Sequence, residues 1–260
     1  MLASERQPTS DVSRLFDLTG RVAIVTGGSR GLGAAISRAL AGAGATVMVA
    51  SRKLDACERI VADIESAGGV AAAEALQAGD VSQCEALVER TVDRFGRLDI
   101  VVNNAANALA QPFGAITEAA FDKSFAVNVK GPVFLAQAAL PHLAAGGHGS
   151  IINIVSVGAF AGAPFMGLYG AGKAALWHFT RTLAKEVVGQ GIRVNAIAPG
   201  PFDTDMVPQE PVFRQAITDS SLMKRLADPR ELVGAALYLA SDASSFVTGS
   251  VMVVDGGSLA

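Results

Sequence analysis

Cysteine and histidine are scarce in this chain of 260 residues, which has only Cys57, Cys84, His142, His148 and His178. The cysteines form no CxxC pair and the histidines no HExxH or related spacing, so neither a disulfide framework nor a zinc site is expected. An excess of charge is lacking too. Lys plus Arg is 21 against Asp plus Glu 24, a formal net charge of −3, which offers no electrostatic footprint for a nucleic acid. No run approaches the roughly 18 apolar residues of a bilayer span, and the opening MLASERQPTSDVSRLFD lacks an apolar core behind a basic start. What is abundant is apolar material: half of the residues are hydrophobic and 17% are charged, as expected for a soluble cytoplasmic globule with a large buried core.

Residues 1–18 are polar and rich in Ser, Asp and Arg, and are expected to be a loosely held extension. From Arg21 onward, apolar β-branched runs alternate with segments of helical spacing. Val22–Thr26, Thr46–Ser51, part of Val70–Asp80, Leu98–Asn103, Ile151–Val155, Arg193–Ala198 and Val251–Val254 read as strands. Between them lie helical segments such as Gly31–Gly44, Leu54–Ala67, Gln83–Phe95, a long one over Phe121–Ala145 with a kink or end at Pro141, and Leu168–Val188. Such alternation calls for right-handed crossovers, and hence an α/β fold: one doubly wound domain over 19–260, a parallel seven-stranded sheet with helices on both faces. The stretch 202–226 breaks the rhythm with Pro208 and Pro211 and reads as a lid or binding segment.

The first strand runs into Gly27-Gly28-Ser29-Arg30-Gly31-Leu32-Gly33, which opens the first helix. Glycines there let the backbone turn tightly and approach a pyrophosphate, held by free N–H groups and the helix dipole. The spacing is GxxxGxG rather than GxGxxG; its place at the first strand-to-helix junction is what points to a dinucleotide rather than to a mere tight turn. The second strand ends Ala50-Ser51-Arg52-Lys53, without the acid that would bind the ribose hydroxyls of NAD. Arg52 and Arg30 can instead clamp a 2′-phosphate while Ser51 donates to it, so NADP(H) is preferred and NAD(H) remains possible.

Tyr169 and Lys173 stand at i and i+4, on one face of a helix. A positive charge about 5 Å from the phenol contributes roughly 3 kcal/mol toward the phenolate at an effective dielectric near 20, lowering its pKa by about 2. Ser156 ends the strand just before, at the carboxyl edge where open parallel sheets bind ligands, and can orient a carbonyl. Asn128, in Ala126-Val127-Asn128-Val129, is disfavoured in a regular helix and is either a satisfied buried amide or the marker of a kink that holds a relay water.

Taken together, Thr26 to Gly33, Asp80-Val81, Asn103-Asn104-Ala105-Ala106, Asn128, Ser156, Tyr169 with Lys173, and Pro199-Gly200 followed by Thr204 resemble the short-chain dehydrogenase/reductase family, in its single-domain, Rossmann-like branch. The resemblance runs from Arg21 to Gly257. It implies that Tyr169 is the general acid/base, that Lys173 binds the nicotinamide ribose, that Ser156 positions the carbonyl or hydroxyl, and that Asn128 holds a relay water. It further implies cofactor contacts from Asp80 and Val81 at the adenine, Asn104 and Ala105 on the adenosine side, and Thr204 with the backbone after Pro199 and Gly200 at the carboxamide. Ala106 departs from the family's usual glycine, which questions the backbone path near the ribose.

The implied reaction is hydride transfer between a nicotinamide and a small-molecule ketone or secondary alcohol; a catalytically silent nucleotide-binding protein is the alternative. Leu109, Phe113, Phe160, Phe165, Met166, Phe202, Met206 and Phe213 are candidates for the substrate pocket. A lipophilic ketone, a sugar or polyol, or a 3-oxoacyl group could be the substrate, the last needing a basic docking patch from Lys130, Arg181, Lys224 and Arg225. Family resemblance and the apolar face of the helix bearing Ala174, Leu176, Trp177, Phe179 and Leu183 imply a homotetramer.

Overall fold

The computed structural model describes residues 12–260. Seven parallel strands form one sheet in the order β3-β2-β1-β4-β5-β6-β7, with β1 Val22–Thr26, β2 Thr46–Ser51, β3 Val70–Ala75, β4 Ile100–Asn103, β5 Gly149–Ile154, β6 Ile192–Pro199 and β7 Val251–Val254. Two crossovers leave β1 in opposite directions, one to β2 and one, by way of β3, to β4, so the β1/β4 boundary is the point where the winding reverses. Open sheets bind their ligands in the crevice this creates at the carboxyl ends of the strands.

The strands are apolar without alternation because both of their faces are covered. All five residues of β1 are buried. Ala23 and Val25, with Val47, Val49, Ile100 and Val102, point to one face and pack on α1 (Gly31–Gly42), α2 (Leu54–Ser66) and α8 (Val233–Ala240). Ile24, Met48, Val101 and Ile151 point to the other and pack on α3 (Val81–Phe95), α5 (Gly131–Gly146) and α6 (Gly167–Val187). The period of two in the strands thus divides a single sheet between two cores.

Two sequence expectations, the extension through residue 18 and the kink or end at Pro141, are revised, and two elements are defined more closely. The extension drawn through residue 18 reaches the core: residues 1–11 lie outside the described residues, but Val12–Phe16 forms a 3₁₀ turn, and Leu18 is fully buried with its N–H on the Ala43 carbonyl at 2.8 Å. The helical stretch over 121–145 is continuous, as expected, but not uniform. It comprises α4 (Glu118–Phe125), a π-helical turn at Ala126–Lys130, and α5. Pro141, expected to mark a kink or end, sits inside α5, and the carbonyl it cannot engage, four residues back at Gln137, lies on the exposed side, where water can satisfy it. Finally, β3 stops at Ala75, and the chain from Leu76 to Asp80 turns toward the carboxyl edge.

Candidate active site

A cleft of about 1640 Å³ opens along the carboxyl edge. The cofactor-binding candidates Gly27, Ser29 to Gly33, Ser51, Arg52, Asp80, Val81, Asn104, Ala105, Pro199, Gly200 and Thr204 border it, as do Ser156, Tyr169 and Lys173; of the four catalytic candidates Asn128 alone does not. Five strand ends deliver a group to it: the glycine loop after β1, Ser51 from β2, Asn104 after β4, Ser156 after β5 and Pro199 from β6.

The glycine loop is shaped by contacts that no side chain would permit. Gly27 has φ +63° and Gly31 φ +51°, and a Cβ on Gly33 would collide with the Gly27 carbonyl and the Asn104 amide. Thr26 ties the loop to β4: its hydroxyl accepts from the N–H of Asn104 at 3.0 Å and of Ala105 at 3.1 Å. Asn104 in turn donates its side-chain amide to the carbonyls of Thr26 and Gly27, at 2.9 and 3.1 Å. Its amide therefore serves the loop's own backbone. Helix α1 begins after Arg30 with no side-chain cap, so its first N–H groups face the cleft.

At the far end of the loop the Ser51 hydroxyl donates to Ser29 Oγ at 2.8 Å. Arg52 is exposed and has no hydrogen-bond or ion-pair partner among the described residues, whereas Arg30 pairs with Asp205 of the 202–226 segment at 3.2 Å. That pairing was not foreseen, since 175 residues separate the two. Asp80 caps α3, accepting from Gln83 N at 3.2 Å and Ser82 Oγ at 2.8 Å, bonds that hold its carboxyl below the usual range, the Ser82 hydroxyl most strongly. Ala106 carries a negative φ, so the methyl that replaces the family's glycine sits there without backbone strain.

Lys173 is 1% exposed, and its ammonium donates to the Ile154 carbonyl at 2.6 Å and lies 5.7 Å from the centroid of the Tyr169 ring. The i, i+4 geometry is as the sequence indicated, but the electrostatics differ. Burial lowers Lys173 from 10.5 to about 7, and burial also raises Tyr169 above its ordinary 10, with a hydrogen bond to Ser156 acting in the opposite direction. Both charged forms are disfavoured by the same poorly solvated wall, and Lys173 has lost its proton well below the pH at which the phenol ionises, so it offers the phenolate no counter-charge. The expected lowering of the tyrosine pKa is therefore not found in the protein alone. Ser156 Oγ also accepts from Gly158 N at 3.1 Å.

Asn128 is fully buried behind the cleft within the π-helical turn. Its Oδ1 accepts from Asn107 N at 3.0 Å, and its Nδ2 donates to Asn107 O at 2.8 Å and Ser124 Oγ at 3.2 Å. It thus pins the loop after β4 by both backbone groups of one residue. Of the eight substrate-pocket candidates, Phe202 and Met206 border the cleft, while the other six do not. The segment 202–226 holds α7 (Pro211–Asp219), whose Ile217 faces the cleft. Of the four residues considered for carrier docking, Lys130 borders the cleft; the other three are engaged, Arg181 over the Trp177 ring, Lys224 on the Asp219 carbonyl and Arg225 on Glu231.

A family model described as Enoyl-(Acyl carrier protein) reductase matches residues 27–258. Human Dehydrogenase/reductase SDR family member 4 is 34% identical over 258 residues, which is 98% of this chain and 93% of that protein. Among solved structures, a 3-oxoacyl (acyl-carrier-protein) reductase from Agrobacterium tumefaciens C58 with NADP bound superposes with a TM-score of 0.90 at 33% identity, over 96% of this chain and 98% of that one. A 7α-hydroxysteroid dehydrogenase complexed with NADH and 7-oxo glycochenodeoxycholic acid does so with a TM-score of 0.90 at 34% identity, over 94% and 96%. The chain belongs to the short-chain dehydrogenase/reductase family.

Proposed function

We propose that this protein is an NADP(H)-dependent oxidoreductase that interconverts a ketone and a secondary alcohol, with Tyr169 as general acid/base. The observation that carries the reading is the convergence of Ser156, Tyr169 and Lys173 on one cleft, beside the uncapped start of α1. That start fits a dinucleotide: its N–H groups face the cleft, Gly31 at φ +51° brings the backbone within reach of a ligand, and the cationic side chains of Arg30 and Arg52 flank the Ser29–Ser51 pair. Gly27 to Gly33 would hold the pyrophosphate, Ser29, Ser51, Arg30 and Arg52 the 2′-phosphate, Asp80 and Val81 the adenine side, Asn104 and Ala105 the ribose, Lys173 the second ribose, and Pro199, Gly200 and Thr204 the carboxamide. When bound, the nicotinamide supplies or accepts the hydride.

The chain's own groups handle the proton. Ser156 orients the substrate oxygen toward Tyr169, and the Tyr169 hydroxyl donates its proton to that oxygen in reduction and takes it back in oxidation. A phenol held above its ordinary pKa is fully protonated at neutral pH, which suits reduction. Asn128 keeps Asn107, and so the loop over the cleft, in place. Preference for NADP(H) is favoured by the absence of an acid after β2; relatives solved with NADP and with NADH both exist. Tyr169→Phe is the direct test: turnover of a ketone panel should fall at least about a thousandfold while NADPH affinity changes less than about threefold. Wild-type binding of NADPH without turnover of any ketone would support the silent binding protein instead.

A further inference from the structure

Three segments frame the cleft beyond the strand ends: 104–117 after β4, 156–172 between β5 and α6, and 202–226 after β6. The first two contain no Asp, Glu, Lys or Arg. The third does, but all of its charged groups except Glu210 are engaged: Asp203 with Arg214, Asp205 with Arg30, Arg225 with Glu231, Lys224 with the Asp219 carbonyl, and Asp219 with Gln215. Within these three segments a substrate carboxylate or phosphate would find no free cation; the exposed Lys123 and Lys130, which also border the cleft, stand on the helical stretch outside them.

Against that neutral ground stand exposed rings. Phe113 is 87% exposed, Phe165 58% and Phe160 44%. Single exposed apolar residues are ordinary, yet these belong to loops that touch one another. Gln111 N donates to the Phe165 carbonyl at 2.8 Å, and the Phe113 ring lies over Gly167, where a Cβ would stand 3.1 Å from it. The Phe160 ring centroid is 6.4 Å from that of Trp177. The cleft wall ends at Ala108, Val157 and Tyr169, and the rings begin within a few residues of each. Phe165 also holds φ +66°, the left-handed region that a bulky side chain rarely occupies. That φ belongs to the turn Ala163-Pro164-Phe165-Met166, closed by Met166 N donating to the Ala163 carbonyl at 3.2 Å, and the turn presents the ring outward.

Resting on the oxidoreductase reading above, we propose that the substrate is a bulky, uncharged, lipophilic ketone or the corresponding alcohol, whose hydrocarbon body covers Phe113, Phe160 and Phe165 while its oxygen reaches Ser156 and Tyr169. In reduction the Tyr169 hydroxyl would give its proton to the carbonyl oxygen as the carbonyl carbon took the hydride that a bound dihydronicotinamide would supply, the phenolate regaining a proton from water, and the product would be a neutral secondary alcohol. Substrate and product are both uncharged, in keeping with three segments whose one unengaged charge is the carboxylate of Glu210.

The experiment compares decalone, acetone and levulinate as substrates, with quenching of Trp177, the only tryptophan, as a direct binding readout beside Phe160. Decalone should exceed both others in kcat/KM by at least about tenfold, in keeping with an apolar ring buried on binding. Phe165→Gly should weaken decalone turnover by about tenfold, mainly through KM, and leave acetone unchanged. Its melting temperature should not fall, because glycine accepts the positive φ; Phe113→Ala should give the same pattern from an exposed position. Turnover of all three ketones without preference, or indifference of decalone turnover to both variants, would overturn the proposal and leave the oxidoreductase reading standing. Quenching of Trp177 by decalone with no turnover of any ketone would overturn the oxidoreductase reading, and with it the assignment of this surface to a substrate.

Discussion

Replacing Lys173 with Met should make the protein more stable at neutral pH while destroying its activity. The lysine is 1% exposed, and burial holds its ammonium near 7 instead of 10.5. At about 1.4 kcal/mol for each tenfold change in an acidity constant, keeping this group in the fold costs roughly 4 kcal/mol at pH 7 relative to the unfolded chain. Methionine fills nearly the same space without a charge, but gives up the bond to the Ile154 carbonyl, a loss of about 1–3 kcal/mol. The balance is a gain of about 1–3 kcal/mol, or roughly 3–10 °C in melting temperature for a chain of this size. The sign with pH follows from the depressed pKa. The cost is fully present below about 7 and fades as pH rises toward 10.5, so the advantage of the variant should be constant in acid, shrink through that window, pass through zero within it and turn at its top into a deficit of about 1–3 kcal/mol, the lost Ile154 bond. Thermal denaturation of both proteins across this pH range reads it directly. A variant less stable than the wild type at pH 7, or a difference that does not change between neutral and alkaline pH, would refute the reasoning.

The Tyr169 phenol of the cofactor-free protein should titrate above 10, because burial is the largest influence on it. Since the chain has only two tyrosines, an ultraviolet difference titration of wild type against Tyr169→Phe isolates it, and a midpoint below 10 would contradict that balance. Arg52→Asp should weaken NADPH binding about tenfold to a hundredfold, leave NADH binding little changed or improved, and leave the fold intact, as judged by the two dissociation constants and circular dichroism. A self-associating protein, a homotetramer by family expectation, should appear in light scattering at micromolar concentration. The stacked, partly exposed Phe121 and the exposed Phe179 provide apolar surface for it, whereas Leu176 is spent in the core; a monomeric mass would count against it.

Local pattern was enough to determine much of this protein. The glycine loop after the first strand, the i, i+4 pair of Tyr169 and Lys173, and the absence of an acid after β2 are visible over a few residues, because turn chemistry and helical spacing are short-range. Strands without alternation already imply a sheet covered on both sides, since only then are both faces buried. Other properties depended on what the crossovers bring from far along the chain. No local signal indicates that Asn128 bonds both backbone groups of Asn107, that Arg30 faces Asp205, or that Asn104, expected on the adenosine side of the cofactor, donates its side-chain amide to the carbonyls of Thr26 and Gly27. The largest departure concerns Lys173 and Tyr169. Their spacing was legible but their charge states were not, because a pKa reflects the solvation of a site, and whether Lys173 lies in water or against the end of β5 is decided by packing alone.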